Sequence, residues 1–457
     1  MRRTIRTAVV LLVTSLSIEV GAGVEQSKKP VESLPLYIGW AQVDITPERP
    51  VALIGQLHKR ISKGVLDPLT VTVLAMETRS TEGPAEQAVM VSCDVLYIRQ
   101  AVQERLRDAV KAEIPDFDTD KLLLNATHTH TGPGFADGAF KGRYDVSTDE
   151  GVMKASEYMD FFVERVSKAV VKAWRDRAAA TMNWGLGHAV VGMNRRARYF
   201  NGSAVMYGAT NREDFSHIEG YEDHAVEMLF FWAADGHLTG LIINVACTAQ
   251  ETEGLYEISA DFWHDTRLEV RRRLSGDVFI FAQCSAAGDV SPHLMYRTQA
   301  EDRMRERRGL SRRQEIARRI ANAVEDVLPT AAADARKAVL LRHKVVRVDL
   351  PAHEGASLPF YELDSITGTE VHIIRLGEVI IATNPFELYV DYGVRIKAAS
   401  PALLTFLVQT SCGHCGYLPT GRAVAGGGYS ADAFLVGPAG GQVLVHQTLQ
   451  SIRDIWD

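Results

Sequence analysis

The sequence predicts an α/β fold made of layered mixed β-sheets flanked by helices. Short apolar runs of strand length alternate with amphipathic helical patterns along most of the chain. No linker separates these elements, and no repeat of roughly 20–50 residues interrupts them. Of the 457 residues, 46% are hydrophobic and 23% are charged, which is typical of a globular protein. We therefore predict one large domain over residues 38–457.

The individual elements follow from the apolar pattern. Strands are predicted where apolar residues form short runs, at 69–76, 88–96, 121–126, 241–246, 278–281, 339–348, 371–383 and 403–409. Helices are predicted where apolar residues recur every three or four positions, at 100–112, 156–175, 261–274, 312–327 and 442–455. The shift from an Ala-rich helix to a β-rich stretch at 329–360 is the one plausible internal boundary.

The N-terminus has the pattern of an export signal. Arg2, Arg3 and Arg6 precede an apolar run at 8–16, and small residues follow at 21–23. That run is too short to span a bilayer, so we expect residues 1–23 to be removed as a signal peptide. A flexible leader is expected at 24–37. No later stretch reaches the ~18 uninterrupted apolar residues of a membrane helix. We expect an exported protein, periplasmic or secreted, without stable membrane insertion.

Charge and cysteine content exclude two classes of protein. The chain carries 50 Lys and Arg against 57 Asp and Glu, a net charge of −7, which argues against a nucleic-acid partner. Five cysteines, an odd number, do not make a disulfide framework. Cys412 and Cys415 form a lone C-x-x-C pair without a second pair of metal ligands. A local disulfide or two free thiols is therefore favoured there over a metal site.

The sharpest chemical signal is the segment 125–134 (NATHTHTGPG), which follows an apolar strand and ends in a turn. Residues two apart on an extended strand share a face, so we expect His128 and His130 to point the same way. Two imidazoles at a strand end suit a metal ligand and a catalytic partner. The alternative is a pair of surface histidines in a loop.

Four further segments place polar residues in turns or beside apolar runs: 192–199, 281–293, 384–388 and 416–429. Within 281–293, a Gly-Asp-Val-Ser-Pro turn presents Ser291, although Asp and Ser in turns often only cap backbone groups. Glu387 follows a strand that is expected to be buried, where an unpaired carboxylate would be costly, so we expect a cationic partner. Glycines surround Tyr417 and Tyr429, which suits close approach to a ligand but is also common in loops.

Together and in this order, the five segments resemble the neutral/alkaline, non-lysosomal ceramidase family. The likeness starts at 39–47 (GWAQVDITP) and continues through the His-Thr-His-x-Gly-Pro-Gly, Asn-Arg, Gly-Asp-Val-Ser-Pro, Pro-Phe-Glu and Tyr-rich segments. It implies the fold of a ceramidase catalytic domain, a zinc cofactor, and an amide bond in a small-molecule or lipid-like substrate. The family's C-terminal immunoglobulin-like domain is expected to be absent.

The resemblance also implies roles for single residues. His128 is similar to the family's zinc ligand, and His130 to its active-site histidine. Arg195 matches the arginine near the scissile group, and Ser291 the serine described as nucleophile or substrate anchor.

The acidic zinc ligand corresponds to Glu387 and the tyrosine ligand to Tyr417. Tyr429 resembles a second tyrosine, a donor to the developing oxyanion.

One segment departs from the family pattern. Where another zinc-binding histidine is expected, residues 244–250 read NVACTAQ, with Thr248 opposite the lost histidine. Cys247, His264 or His293 could fill the place. Otherwise His128, Glu387 and Tyr417 would form a site of three protein ligands, completed by water or by His130. Cys247 is the alternative with a strong ligand, since thiolate binds zinc well.

The sequence thus predicts an exported zinc-dependent hydrolase of an amide, or else an ester, bond. Two other functions stay open. One is a non-catalytic binding protein that keeps the fold with a degraded zinc site. The other is a metal-dependent hydrolase of phosphate or sulfate esters that uses Asp44, Asp94 and His128. Neither the substrate nor the oligomeric state follows from the sequence.

Overall fold

Two β-sheets packed face to face organise the chain, with helices on their outer faces. The computed structural model describes residues 32–456, except 139, 275 and 355–362. The predicted signal peptide at 1–23 and residues 24–31 of the predicted leader lie outside the described residues. Strand β1 begins at Leu34, earlier than the predicted domain start at residue 38.

The described strands, in chain order, are β1 (Leu34–Asp44), β2 (Ala52–Leu53), β3 (Arg60–Ile61), β4 (Gly64–Val65), β5 (Thr70–Ser80), β6 (Gly83–Cys93), β7 (Leu122–Ala126), β8 (Ala178–His188), β9 (Met193–Asn194), β10 (Arg196–Tyr199), β11 (Ala204–Met206), β12 (Phe215–Ile218), β13 (Ala225–Ala233), β14 (Leu238–Val245), β15 (Glu257–Ile258), β16 (Phe279–Cys284), β17 (Val290–Ser291), β18 (Ala338–Val339), β19 (Leu341–Val348), β20 (Thr369–Leu376), β21 (Val379–Thr383), β22 (Glu387–Leu388), β23 (Leu404–Val408) and β24 (Tyr417–Leu418).

The described helices are α1 (Gln100–Glu113), α2 (Ala155–Arg175), α3 (Phe262–Leu274), α4 (Thr298–Arg307), α5 (Arg312–Ala333), α6 (Val390–Ala399), α7 (Gly421–Gly426), α8 (Tyr429–Asp432) and α9 (Pro438–Trp456), with a 3₁₀ turn at Thr119–Lys121. None of the helices in the described part of the chain combines the length and apolarity needed to cross a membrane.

The larger sheet runs in the order β16-β14-β13-β8-β1-β5-β6-β7, and β18 also pairs with β1. Most neighbours in it are antiparallel, but β6–β7 and β14–β16 are parallel. The second sheet has the order β19-β20-β21-β23, with β21–β23 parallel. Both sheets are mixed, as the predicted fold class requires.

Apolar side chains from both sheets fill the space between them, including Leu74, Phe231, Phe281, Ile374 and Phe406. Helices α1 and α2 cover the β1–β5–β6–β7 half of the larger sheet's other face, and α3 and α5 cover the β8–β13–β14–β16 half. Helices α6 and α9 cover the outer face of the second sheet. The prediction of layered mixed sheets flanked by helices is confirmed.

Two local differences have physical causes. The single strand predicted at 371–383 is a hairpin, β20 and β21, because Gly377 and Glu378 form a two-residue turn. Strand β8 was not predicted, since its glycines weaken the strand pattern. A Cβ at Gly185 would lie 2.2 Å from Val327 Cγ1, so this glycine allows α5 to pack closely on the sheet.

Candidate active site

His128 and His130 follow the end of β7 and line one cavity. Their ring centroids are 5.1 Å apart. The prediction that these two residues lie on an extended strand is wrong, because β7 ends at Ala126 and His128 has a φ of 66°. A non-glycine residue in this region costs about 1–3 kcal/mol and is held there by its surroundings. The backbone N–H of His128 donates to the Val95 carbonyl at 3.0 Å.

The Glu387 carboxylate lies against His128. Residues Glu387 and Tyr417 are directly paired in the short parallel ladder of β22 and β24. Glu387 Oε2 is 3.5 Å from His128 Nε2. Burial raises the pKa of Glu387 to about 7, although Arg195 and a hydrogen bond from Tyr417 act in the opposite direction. The ladder therefore brings together two side chains that are 30 positions apart in the sequence.

Arg195, between β9 and β10, reaches the same place. Its Nη2 donates to the Gly288 carbonyl at 3.0 Å and to the Tyr417 hydroxyl at 3.5 Å. Its Nη1 donates to the Tyr207 hydroxyl at 2.8 Å and to Gln250 Oε1 at 3.2 Å. Arg195 is buried, and these contacts hold its guanidinium at the edge of the site.

Asp289 connects its own segment to the Asn-Arg segment and to the first residue of α6. Its carboxylate accepts hydrogen bonds from Asn194 Nδ2 at 2.8 Å and from the Val390 N–H at 2.9 Å. Next to it, a Cβ at Gly288 would lie 2.3 Å from the Glu387 carbonyl oxygen, so only glycine fits. The Gly-Asp pair thus fixes the Asn-Arg segment and the Pro-Phe-Glu segment against each other.

The cavity combines these polar groups with apolar and aromatic side chains. Its lining is Gly55, Gln56, Leu57, Leu96, Tyr97, His128, His130, Phe140, Tyr144, Glu387, His414, Tyr417 and Tyr429. Tyr429 begins α8, and its ring centroid is 5.7 Å from that of Tyr417. The structure therefore brings together five of the predicted site residues, with Arg195 bonded to one of them.

Burial keeps both histidines of the pair neutral. It lowers the pKa of His128 to about 3, helped by the charge of Arg195. It also lowers the pKa of His130 well below its usual range, with His128 and Arg195 adding to the effect. Each ring therefore has a lone pair available for a metal or a proton.

Ser291 lies apart from this lining. It is buried in β17, opposite Met193, and its Oγ accepts a hydrogen bond from the His293 N–H at 3.3 Å. Among the described residues, neither Ser291 nor His293 lines the cavity. The role of Ser291 stays a prediction.

The segment that lacks the expected histidine runs beside the His128 segment. The Ala249 N–H donates to the Thr127 carbonyl at 3.3 Å, and the His130 N–H donates to the Ala249 carbonyl at 3.4 Å. Cys247 nevertheless faces away, into an apolar cluster, with its Sγ 3.5 Å from the Val191 carbonyl oxygen. The alternative in which Cys247 supplies the missing ligand is therefore wrong, because chain packing turns its thiol into the core.

Comparisons with known proteins show what this chain is similar to. No family model matches the chain. The neutral ceramidase of Pseudomonas aeruginosa is 28% identical over 286 residues, covering 58% of this chain and 38% of the relative. The crystal structure of a neutral ceramidase from Pseudomonas aeruginosa matches 93% of this chain and 75% of its own, with a TM-score of 0.69 and 18% identity. The resemblance to the neutral ceramidases is confirmed.

A second solved structure, a ceramidase complexed with C2, matches 92% of this chain and 76% of its own, with a TM-score of 0.68 and 18% identity. At this identity the two superpositions establish the fold. The sequence match spans well under half the length of the curated neutral ceramidase. This chain is thus a divergent relative of the neutral ceramidases.

A second group of metal-binding residue types lies outside the cavity. Within the described ranges, Glu370, His372 and Cys412 are the group of His, Cys, Asp and Glu ligand atoms that lie within 4.8 Å of one another. Arg107, however, donates to both Glu370 oxygens, at 2.7 and 3.0 Å, and Arg347 lies 2.6 Å from Glu370 Oε2. The carboxylate is already neutralised by two guanidinium groups, which would repel a divalent ion.

His372 completes this group. Its Nε2 lies 2.6 Å from Glu370 Oε1, and its Nδ1 lies 2.8 Å from His343 Nε2. We refer to Arg107, Arg347, Glu370, His372, His343 and Cys412 as the ion-pair cluster, and to His128, His130, Glu387, His414 and Tyr417 as the cavity cluster.

The sequence analysis missed His414, whose ring lies in the cavity cluster. The C-x-x-C pattern that encloses His414 predicts thiol chemistry and not a role for the imidazole. Both Cys412 and Cys415 are free and buried, and no disulfide joins them. One feature of the sequence could have indicated His414: it lies between the end of β23 and the glycine before Tyr417, a predicted site residue.

Proposed function

We propose that this chain is a zinc-dependent hydrolase of an amide bond in a ceramide-like N-acyl substrate. The observation that carries the proposal is the meeting of His128, Glu387 and Tyr417 in one cavity, with Arg195 bonded to Tyr417. Nitrogen from imidazole and oxygen from carboxylate and phenol are suitable zinc donors.

The donor set fits a divalent cation. His128 Nε2 and Glu387 Oε2 lie 3.5 Å apart, which is longer than a typical hydrogen bond. Neither side chain belongs to an ion pair with Arg or Lys among the described residues. His128, Glu387 and Tyr417 are therefore the residues that would hold zinc. When bound, zinc lowers the pKa of a coordinated water to about 7 and polarises a carbonyl group.

The surrounding residues supply the rest of the chemistry. His130 has a buried Nε2 without a hydrogen-bond partner in the described structure, so it is available to accept a proton and return it to the leaving amine. Arg195 carries a fixed positive charge beside the cavity and stabilises the negative charge that builds on the carbonyl oxygen. Tyr429, at the cavity wall, donates to the same oxygen. Ser291 acts as nucleophile or substrate anchor.

The substrate class is supported by two observations. The relatives matched above bear the names neutral ceramidase and ceramidase complexed with C2. The cavity beside the polar groups is lined by Leu57, Leu96, Phe140 and Tyr144, which suit an apolar acyl chain. The proposal includes export through residues 1–23 and a role in sphingolipid or related lipid metabolism. N-terminal sequencing of the exported protein tests the first point, and an intact Met1 in the membrane fraction would contradict it.

One other function has an observation in its favour. Thr248 stands where the family pattern has a histidine, which is compatible with a binding protein that has lost catalysis. The phosphate or sulfate ester hydrolase is disfavoured, because Asp94 does not face a free site. Both Asp94 oxygens accept from Arg267, at 2.7 and 3.0 Å, and also from Thr70 and Thr127.

Metal analysis and a paired substrate panel test the proposal. The purified protein is expected to hold about one zinc per chain and to cleave N-acyl amides faster than esters with the same acyl chain. A chelator should abolish cleavage, and added zinc should restore it. A protein that holds no zinc and binds the lipids without cleaving them would support the binding protein instead.

A further inference from the structure

His414 lies between Cys412 and Cys415 in the sequence, but its environment differs from theirs. Its side chain lines the cavity together with His128, Glu387 and Tyr417, and the residue is 2% exposed. Neither ring nitrogen has a hydrogen-bond partner in the part of the chain that the structure describes. A buried polar atom without a partner costs about 1–3 kcal/mol. A leucine at this position would avoid that cost. The presence of a histidine therefore indicates that its nitrogens bind a partner other than the described residues.

The residue is also held firmly in place. Its N–H donates to Asp364 Oδ2 at 2.9 Å, and its carbonyl accepts from the Asp364 N–H at 2.9 Å. Asp364 in turn accepts from Arg99 Nε at 3.0 Å. The imidazole stacks on Tyr97, with centroids 4.2 Å apart and planes at 10°. The two backbone hydrogen bonds fix the position of the His414 main chain beside the cavity, whereas the stacked ring can still rotate about its side-chain bonds.

The other places for a further ligand are filled. Structural and catalytic zinc sites use three or four protein donors. Thr248 cannot replace a histidine, because a neutral hydroxyl is a poor zinc ligand and its Oγ1 donates to Gln250. Cys247 faces the core. Of the side chains that line the cavity, His130 and His414 are the remaining imidazoles.

We propose that His414 is the fourth protein ligand of the zinc ion, joining His128, Glu387 and Tyr417, while His130 stays free for proton transfer. This inference rests on the proposed function. In the described structure the donor atoms of His414, His128 and Glu387 do not all lie within 4.8 Å of one another. Binding therefore draws the His414 ring toward the other ligands by side-chain rotation.

Zinc affinity of the metal-free full chain tests the assignment, measured by competition with a chromophoric chelator. His414→Gln is expected to lower zinc affinity at least ~100-fold, more than the loss of a residue that only hydrogen-bonds to a ligand. His128→Gln should do the same. His130→Gln is the matched control, because it removes an imidazole from the same cavity, and it should keep zinc affinity within about tenfold of wild type.

A second measurement does not depend on how His414→Gln folds. X-ray absorption at the zinc edge of zinc-loaded His130→Gln should show two imidazole ligands, and a single imidazole would overturn the inference. Wild-type zinc affinity in a folded His414→Gln protein would also overturn it. In that case loss of zinc from His128→Gln would leave the proposed function standing. A wild-type chain that binds no zinc would refute both.

Discussion

The cavity cluster and the ion-pair cluster each place one buried glutamate beside histidines but balance its charge differently. In the ion-pair cluster, Arg107 and Arg347 neutralise Glu370, and His372 adds a further hydrogen bond. In the cavity cluster, Glu387 approaches a neutral imidazole, and the nitrogens of His414 have no partner within the described residues.

The difference distinguishes a structural network from a binding site. Burial disfavours the charged form of both carboxylates, yet their pKa values shift in opposite directions. Hydrogen bonds from His372 and Arg107 outweigh burial and hold the pKa of Glu370 well below its usual range. For Glu387 burial prevails and the pKa rises to about 7. A buried carboxylate whose pKa is raised inside a cavity is typical of a functional site.

The largest expected effect is on stability, and it separates the two clusters directly. Glu370→Gln should lower the free energy of unfolding by about 3–5 kcal/mol, because it leaves the buried guanidinium group of Arg107 without a counter-charge. Glu387→Gln in the metal-free protein should change it by less than about 1 kcal/mol or increase it, since a neutral amide replaces a costly carboxylate. Urea unfolding with a chelator present measures both. Equal losses would remove the distinction.

Replacing Arg195 should lower the rate of catalysis, because this residue lies at the edge of the cavity and does not belong to the ion-pair cluster. Arg195→Ala is expected to lower turnover at least ~100-fold, about 2.7 kcal/mol or more, as for loss of an oxyanion donor. Arg195→Lys is the matched variant, because it keeps the charge but not the forked geometry, and partial recovery is expected. Turnover per folded molecule is the measurement. Full activity of Arg195→Ala would take this residue out of the mechanism.

Ser291 tests how far the site extends beyond the cavity lining. Ser291→Ala should lower turnover ~100-fold if the hydroxyl acts on the substrate. Zinc affinity should stay at the wild-type value, because Ser291 is not among the proposed ligands. If turnover is unchanged, Ser291 serves the fold through its bond from the His293 N–H.

Acid should weaken the ion-pair cluster. The folded-state pKa of Glu370 is lowered, so its stabilisation is present above the unfolded value of about 4.3 and is lost as the pH falls below it. Between pH 5 and pH 3, wild type should therefore lose more stability than Glu370→Gln. Chemical unfolding at the two pH values measures the difference. Parallel losses would show that other groups control acid unfolding.

The smallest expected effect concerns the Cys247 thiol in the apolar core. Cys247→Ala should keep wild-type zinc affinity and lose about 1 kcal/mol of stability, since Cys247 is a small buried side chain in an apolar cluster. Metal content and thermal unfolding measure the two quantities. Loss of zinc from a folded Cys247→Ala protein would contradict the observed direction of the side chain.

Local patterns in the sequence were enough for much of the fold and part of the site. Helices α1, α2 and α3 lie within one residue of their predicted bounds, because amphipathic periodicity is a local property. The segment ending at His130 was recognisable since it joins an apolar strand to a Gly-Pro turn. Strand β8 was not, because its glycines serve a contact with α5 that no local pattern shows.

The sequence by itself therefore determined which segments are helix, strand or turn and which carry reactive side chains. Tertiary structure alone decided which of those side chains meet. It paired Glu387 with Tyr417, turned Cys247 into the core, and divided one short loop between Cys412 in the ion-pair cluster and His414 in the cavity. The physical reason is that the direction of a side chain near a strand end changes with each residue, and only packing against distant segments fixes it.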